Sequence, residues 1–194
     1  MKYLVAILIF AAFANSEIFD RPCRTPQELG VKTGFQPVAY LGIWYEIERY
    51  EQFFQAGGDC VRAQYTLNGD GSINVFNTAF VIENATRIEA EGIARISFPD
   101  EEPLRAQLNV TFDANQPNLS NYWVLSTDYS NYAFVVSCMN LQDNRSLESF
   151  WLLSRSFTLS PTIRARADEL IARNLEASRI RKTNQDNQIC GREF

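Results

Sequence analysis

The sequence predicts an all-β fold, an eight-stranded up-and-down antiparallel β-barrel with one C-terminal α-helix packed on the outside. Two observations lead to this prediction. Eight segments with the apolar content or the alternation of strands follow one another, mostly through short turns, and no helical segment separates them. One amphipathic helical segment follows the last of them. Eight strands can close without exposed edges and leave room inside for one small molecule.

The first strands can be placed from turn residues and alternation. The first spans 42 to about 50; its opening glycine allows a tight turn, and Trp44 lies just inside that turn. The second, 60–67, alternates apolar and polar residues with the period of a half-buried strand. The run Asn-Gly-Asp-Gly at 68–71 is a tight hairpin signal. The remaining predicted strands span 73–81, about 87–98, 104–112, 122–126, 131–138 and 150–155.

The segments outside the barrel have different signals. Residues 17–40 contain three prolines and two glycines, which predicts a loop with a short helical turn at 37–40, and we interpret it as a lid over one barrel end. Ser160 and Pro161 are typical of the capping and first positions of a helix. One apolar stripe predicts that this helix lies against the outside of the barrel; it consists of Ile163, Ala167, Leu170, Ile171 and Leu175.

The start of the chain predicts secretion. Residues 1–16 have a basic start at Lys2, an apolar run through Phe13 and small residues at the end. This pattern is typical of a cleaved signal peptide, because the run is too short to span a bilayer. Residues 17–194 then form a single domain, long enough for a sizeable core. We therefore expect an extracellular protein.

Composition excludes several classes of function. The formal net charge is −5 and no basic run occurs, which argues against a nucleic-acid partner. The chain has no histidine, which removes histidine-based nucleophile pairs, histidine zinc sites and histidine-ligated haem. The 4 cysteines of a secreted chain predict two disulfides and no metal site, although the sequence alone permits three connectivities. We therefore expect neither an enzyme nor a metalloprotein.

Three separated motifs resemble the signature of the lipocalins. They are Gly42-Ile43-Trp44, Thr127-Asp128-Tyr129 before an apolar strand, and Arg155 at the end of the last strand. The runs at 122–126 and 131–138 narrow the resemblance to the branch that holds apolipoprotein D, Lazarillo and the insect bilin-binding proteins. The resemblance covers roughly residues 23–190. Because lipocalins are small secreted barrels that carry apolar ligands, it implies a carrier.

The resemblance also implies roles for individual residues. Proteins of this branch pair the first cysteine with the third and the second with the fourth. Trp44 and Arg155 resemble the structural pair that closes the barrel floor, where a guanidinium lies over an indole. The implied disulfides are Cys23–Cys138 and Cys60–Cys190.

The ligand-binding residues are predicted from strand parity together with the resemblance, since side chains two apart share a face. The branch places Tyr40 near the mouth of the pocket and the other matching side chains along its wall. At Ala79 the chain departs from apolipoprotein D, which has a glutamate there, and this puts polar anchoring of a ligand at that position in doubt. The predicted set is Tyr40, Tyr65, Asn77, Phe112, Trp123 and Leu125.

Two glutamates of the first strand conflict with an apolar pocket. The parity that directs Trp44 inward also directs Glu46 and Glu48 inward, which is costly unless they are hydrated or paired. Either they form a wet pocket floor, or a bulge shifts the register; the sequence leaves both open. A carboxylate pair acting as general acid and base is the enzymatic alternative, but no features of a sugar cleft accompany it.

The sequence therefore predicts a secreted carrier that buries one small hydrophobic ligand and makes or breaks no bond. The ligand is either biliverdin or a lipid such as a fatty acid or steroid; no other cofactor is expected. The propionates of biliverdin need cations near the mouth, for which Arg49 and Arg62 are the candidates.

The alternative function is that of a glycosylated signalling or protective protein whose outer surface contacts a receptor or membrane transiently. The adjacent phenylalanines Phe53 and Phe54 in the first loop are its only support. Oligomeric state is not predicted. The four glycosylation sequons are Asn84, Asn109, Asn118 and Asn144.

Overall fold

The structure is a computed structural model and describes residues 17–112 and 120–190. Within these ranges it contains the strands β1 Ile18–Phe19, β2 Gly42–Tyr50, β3 Asp59–Leu67, β4 Ile73–Val81, β5 Thr86–Ile96, β6 Gln107–Thr111, β7 Ser120–Thr127, β8 Tyr132–Asn140, β9 Ser146–Ser154 and β10 Ile180–Lys182. They form one antiparallel sheet in which β2 to β9 follow chain order, and the barrel closes because β9 also pairs with β2. The predicted eight-stranded antiparallel barrel is confirmed.

The longest helix packs on the outside of the barrel, as predicted. The described residues contain α1 Pro26–Leu29, α2 Pro37–Tyr40, α3 Pro161–Asn174 and α4 Asn187–Cys190. Ser160 caps α3, because its hydroxyl oxygen accepts the backbone N–H of Ile163 at 3.3 Å. The buried side chains of α3 are Ala167, Leu170 and Ile171.

A second apolar layer lies on the outer face of the barrel. The ring of Phe150 packs 4.9 Å from Phe134 and 5.7 Å from Tyr50, measured between ring centroids. Arg164 of α3 forms an ion pair with Glu48 of β2 at 2.9 Å. These contacts identify the face of the sheet that carries Phe150, Tyr50 and Glu48 as the outside.

Some strand bounds differ from the predicted ones. β9 begins at Ser146 instead of 150, and β6 is shorter than the predicted 104–112. The strands β1 and β10 are not predicted at all. Each has only two or three residues, which is too short for a periodic pattern. They pair with β9 and β2, respectively, near one end of the barrel.

The segment before β2 covers one end of the barrel. We call the end where β2 begins the floor and the opposite end the mouth. The backbone of Lys32 donates to Val124 O and accepts from Ala106 N, and Phe35 N donates to Leu104 O, at 2.9–3.0 Å. The predicted lid therefore closes the floor and leaves the mouth uncovered by this segment.

Trp44 and Arg155 meet at the floor. The guanidinium carbon of Arg155 lies 3.7 Å from the centroid of the Trp44 ring, and the indole is fully buried. The indole N–H donates to Tyr40 O at 2.9 Å. At 2.7 to 3.3 Å the guanidinium also donates to the backbone carbonyls of Ala39, Tyr40, Leu41, Ile43 and Tyr129.

The other two sequence motifs support the same end. Gly42 has φ +94, and a Cβ there would lie 3.3 Å from Arg155 Nη1, so a side chain would crowd the guanidinium. The carboxylate of Asp128 accepts the backbone N–H groups of Ser130, Asn131 and Tyr132 at 2.8 to 3.2 Å. This turn holds the carbonyl of the neighbouring tyrosine where Arg155 can reach it.

Two disulfides attach the segment before β2 and the segment after α3 to the barrel wall. Cys23 is bonded to Cys138 of β8, and Cys60 at the start of β3 is bonded to Cys190, with Cα–Cα distances of 5.8 and 5.2 Å. The two bonds span 115 and 130 residues of sequence. Long loops of this kind restrict the unfolded chain strongly.

We predict that the paired replacement Cys60→Ala and Cys190→Ala lowers the free energy of unfolding by about 2 to 5 kcal/mol, because the unfolded chain gains conformational freedom. Denaturant titration of the variant and the parent measures the difference. Peptide mapping without reduction provides the control on connectivity; a peptide joining Cys23 to Cys60 contradicts the arrangement.

We predict that Arg155→Ala lowers the free energy of unfolding by about 2 to 4 kcal/mol, because five carbonyls lose a charged donor and the indole loses its cation. Arg155→Lys is the matched control. It keeps the charge without the planar fork and should recover only part of the loss. Thermal melts of the three proteins test this; an unchanged melting temperature in Arg155→Ala contradicts the structural role.

Candidate ligand-binding site

The strand register identifies the inner face, because residues opposite each other in an antiparallel pair share a face. Trp44 lies opposite Ala63, which lies opposite Asn77, which in turn lies opposite Ala90. Tyr65 is two residues from Ala63 along β3 and shares its face. The structure therefore directs Tyr65 and Asn77 into the barrel.

The opposite wall contributes two further aromatic side chains. Tyr122 of β7 lies opposite Leu108 of β6. Its ring stacks on that of Trp151, with centroids 6.5 Å apart and planes inclined by 21°. Trp151 lies opposite Val135, so β8 and β9 complete this wall. Neither Tyr122 nor Trp151 is among the predicted site residues.

The interior is accessible to solvent. Asn77, Tyr122 and Trp151 are only partly buried, and Ala90 is exposed, although all four face inward. The described residues therefore do not cover these inward-facing side chains completely. An interior wall of aromatic side chains with a few polar groups is the usual character of a small-molecule site.

A cluster of three tyrosine hydroxyls lies at the inner end of this space. The hydroxyl of Tyr122 lies 2.8 Å from that of Tyr40 and 3.1 Å from that of Tyr65. The ring of Tyr40 stacks on Tyr65, with centroids 5.7 Å apart, and packs 5.1 Å from Trp44. Burial raises the pKa of Tyr65 to about 12 and raises the pKa values of Tyr40 and Tyr122 as well. All three phenols are therefore neutral at physiological pH.

A polar chain leads from the aromatic wall to the loop at the mouth. The indole N–H of Trp151 donates to Gln55 Oε1 at 3.0 Å, and Gln55 Nε2 donates to Glu46 Oε2 at 3.0 Å. Arg49 donates to the other oxygen of Glu46 at 2.7 Å, and the Thr183 hydroxyl also donates to that oxygen. The buried carboxylate is thus paired and hydrogen-bonded.

The two glutamates of β2 face opposite sides of the sheet. Glu46 lies opposite Leu153 and Glu48 lies opposite Leu152, so Ile47 is an extra residue that shifts the register. Of the two explanations left open by the sequence, the bulge applies: it turns Glu48 outward, where it forms its ion pair with Arg164. Glu46 does not form a wet pocket floor, because its carboxylate is buried and paired with Arg49.

The prediction that Trp123 lines the cavity is wrong. Trp123 lies opposite Gln107, one residue before the inward-facing Leu108, so its side chain is on the outer face. Tyr122 takes the inner position. The run from Tyr122 to Leu125 is aromatic and apolar at every position, so it has no alternation from which parity could be read. Leu125 is buried within the register irregularity between Val124 and Ser126.

The predicted position of Tyr40 is also wrong, although its ring does face the other tyrosines. It packs beside Trp44 at the floor, because α2 brings it beneath the barrel and not to the mouth. Phe112 directly follows β6 at the mouth and is 49% exposed. A Cβ on Gly92 would lie 2.7 Å from Phe112 Cδ1, so the glycine makes room for this ring. The assignment of Phe112 to the ligand stays a prediction.

The inward orientation of Trp151 could not be predicted from the sequence of its own strand, for the same reason as that of Tyr122. Phe150, Trp151, Leu152 and Leu153 form an unbroken apolar run, since the outer face of β9 is covered by other segments. Only the pairing of β9 with β2 and β8 decides which of them faces inward.

Exposed apolar residues occur at both ends of the barrel: Val38, Leu67 and Phe98 lie at the floor, and a second group lies at the mouth. The group at the mouth is 37% to 53% exposed and lies in the loop after β2, in the turn after β4 and at the end of β6: Phe53, Phe54, Ile82 and Phe112.

Three of the sequon asparagines, Asn84, Asn109 and Asn144, are exposed. Asn118 and the predicted signal peptide, 1–16, lie outside the described residues.

Two negative observations apply to residues 17–112 and 120–190. They contain no group of three or more histidine, cysteine, aspartate or glutamate side chains that could hold a metal ion. They also contain no helix with the length and apolar character needed to cross a membrane.

Comparison with known proteins identifies the family. Residues 38–185 match the Lipocalin-like domain. The chain is 32% identical to apolipoprotein D of Macaca fascicularis over 182 residues, which cover 92% of this chain and 90% of that protein. It is 34% identical to the Lazarillo protein of Schistocerca americana over 159 residues, or 80% and 72% of the two chains.

A solved structure agrees with this result. Insecticyanin from the tobacco hornworm Manduca sexta is similar with a TM-score of 0.76 at 25% identity, and the match covers 90% of this chain and 92% of that chain. The barrel, the closed floor and the sequence matches over most of the chain agree with one another. The chain therefore belongs to the lipocalins, a family of binding proteins and not of enzymes.

Proposed function

We propose that this lipocalin is a secreted carrier that binds one small hydrophobic ligand inside its barrel. The observation that carries the proposal is the inward-facing aromatic wall, in which Tyr122 and Trp151 are only partly buried. When an apolar molecule covers aromatic surface that faces a solvent-accessible interior, apolar surface is removed from water, which stabilises the complex. An eight-stranded barrel encloses a space of the right size for one such molecule.

The polar groups of the wall support a lipid of low charge more than a bilin. The side-chain oxygen of Asn77 is buried without a hydrogen-bond partner in the described part of the chain, so a hydroxyl or N–H of the ligand would satisfy it. The two arginines considered for the propionates of biliverdin are poorly placed. Arg49 is fully buried and paired with Glu46, and Arg62 lies opposite Thr78, on the outward-facing side of β3.

Secretion and glycosylation are part of the proposal. Two disulfides that attach both chain ends are expected in an oxidising compartment, and the pattern of residues 1–16 is that of a signal peptide. Asn84, Asn109 and Asn144 are exposed, as an acceptor asparagine must be. The sequon at Asn118 adds a fourth candidate from the sequence alone.

We predict that a bound ligand quenches the fluorescence of Trp151 and that Trp151→Phe weakens binding about threefold to tenfold, because part of the aromatic wall and the indole N–H are lost. Titration with a fatty acid, a steroid and biliverdin measures this. Trp123→Phe is the matched control, since Trp123 faces outward. Absence of saturable binding for all three ligands contradicts the carrier function, and a larger effect of Trp123→Phe contradicts the site.

A second function, transient contact with a membrane, is favoured by the apolar residues at the mouth. Phe53 and Phe54 are 47% and 53% exposed and pack edge to face with centroids 5.4 Å apart. Ile82 and Phe112 extend this surface on neighbouring loops. Aromatic side chains around the opening of a lipid carrier are suited to the interface between headgroups and acyl chains, where a ligand can enter from the bilayer.

We predict that Phe53→Ser together with Phe54→Ser lowers binding to phosphatidylcholine vesicles about tenfold, because two half-exposed rings no longer enter the interface. Flotation of vesicles with the full chain measures the bound fraction. Phe98→Ser is the control, since Phe98 is 53% exposed but follows β5 at the floor. Equal binding by the parent and the double variant contradicts this function.

A further inference from the structure

The three tyrosine hydroxyls at the inner end of the barrel have one hydrogen more than they can use among themselves. Tyr40, Tyr65 and Tyr122 carry three O–H donors, and their hydroxyls form two contacts, at 2.8 and 3.1 Å. Whichever way each bond points, one hydrogen remains. No other hydrogen bond involves these hydroxyls in the part of the chain that the structure describes. This spare hydrogen is available to a hydrogen-bond acceptor on a bound molecule.

We infer that this tyrosine cluster is the docking point for a neutral carbonyl at the buried end of the ligand. The inference rests on the proposed carrier function and specifies the ligand class for the same site. A ketone, ester or lactam oxygen is an acceptor without a hydrogen of its own, so it satisfies the spare donor and adds no new unmet group. Rings stack on both sides of the cluster, so a ligand that fills the space beside them would shield this bond from water.

A carboxylate does not suit this position. The cluster offers neutral phenols, and the nearest cation, Arg155, lies against Trp44 with its described hydrogen bonds all directed to backbone carbonyls. A charged group buried among neutral partners keeps much of its desolvation cost. An acidic lipid would therefore bind with its carboxylate toward the mouth, whereas a lipid with a ketone would bind with the ketone at the floor end.

The cluster lies close enough to Asn77 for one ligand to reach both. Tyr65 pairs with Val75, so Asn77 is its diagonal neighbour on the same face. Diagonal neighbours in an antiparallel pair are roughly 7 to 8 Å apart. A rigid ligand with a carbonyl at one end and a donor one ring away satisfies the spare hydrogen and the unpartnered amide oxygen together.

Single substitutions do not test the cluster, because at least one hydrogen is always left over: one if the hydroxyl of Tyr40 or Tyr65 is removed, and two if that of Tyr122 is removed. The test is the triple variant Tyr40→Phe, Tyr65→Phe and Tyr122→Phe. It keeps all three rings and removes every hydroxyl at once, so no polar group is left without its partner, and such replacements are often nearly neutral for stability. Tyr45→Phe is the control, since Tyr45 lies on the outer face against Phe157.

The ligands are androstanone, which has one ketone, and androstane, the same skeleton without it. We expect the parent and Tyr45→Phe to bind androstanone about threefold to tenfold more tightly, the range of one hydrogen bond. In the triple variant the two ligands should bind equally, with androstane affinity kept. A third ligand, the androstane skeleton with a carboxylate in place of the ketone, should bind the parent no more tightly than androstane does.

The outcomes separate the two claims. If the parent binds both steroids equally, the inference is overturned and the carrier function stands. If the triple variant keeps the preference for the ketone, the tyrosine cluster is not its docking point. If neither steroid binds the parent, the inference fails together with the proposed hydrophobic cavity.

Discussion

The contact on which the rest of the structure depends is that of the Arg155 guanidinium with the Trp44 indole. One side chain at the end of β9 reaches the start of β2, the helix before it and the turn after β7 through five backbone carbonyls. Bonds from a charged donor are stronger than neutral ones. The pairing of β9 with β2 closes the barrel, and these bonds hold the two strands and the preceding helix together at the floor. The closed floor makes the two ends of the barrel different.

The mouth is held by different means, because β2 and β3 separate there. Their ladder ends at Tyr45, and the chain end fills the gap: Gln185 donates to Glu46 O and Val61 O, and Asn184 O accepts the backbone N–H of Cys60. A buried ion pair such as Glu46 with Arg49 is stable only when further hydrogen bonds satisfy both charges. Thr183, Gln55 and the carbonyl of Gly58 supply them. The disulfide at Cys60 keeps this segment in place.

These two ends give the interior a gradient of polarity. The floor side has aromatic rings with neutral hydroxyls, and the mouth side has an ion pair that is screened from the cavity by Gln55 and Trp151. Under the proposed carrier function, a bound molecule would contact apolar surface along its length and neutral hydrogen-bonding groups at its inner end. Such a site would favour molecules that are weakly polar at one tip, because a charged group would lose more hydration than the wall returns.

The sequence by itself determined the barrel and the external helix, since these depend on local signals, and its resemblance to the lipocalins supplied the candidates for the floor. Alternation in β3 and β4, the cap at Ser160 and the Gly-x-Trp turn are each contained in a few neighbouring residues. Tyr65 and Asn77 could be assigned to the inner face for the same reason. Their strands alternate between apolar and polar residues, so the pattern shows which side chains face inward.

Only the tertiary structure decided which residues of the apolar strands face the cavity. The runs 122–125 of β7 and 150–153 of β9 are apolar or aromatic at every position, so their sequence does not show which residues face inward. The pairing of strands that are distant in sequence places Tyr122 on the inner face and Trp123 on the outer face. It also places Trp151 on the inner face. The bulge at Ile47 depends in the same way on the register between β2 and β9. Register is a property of two strands distant in sequence, and no single segment contains it.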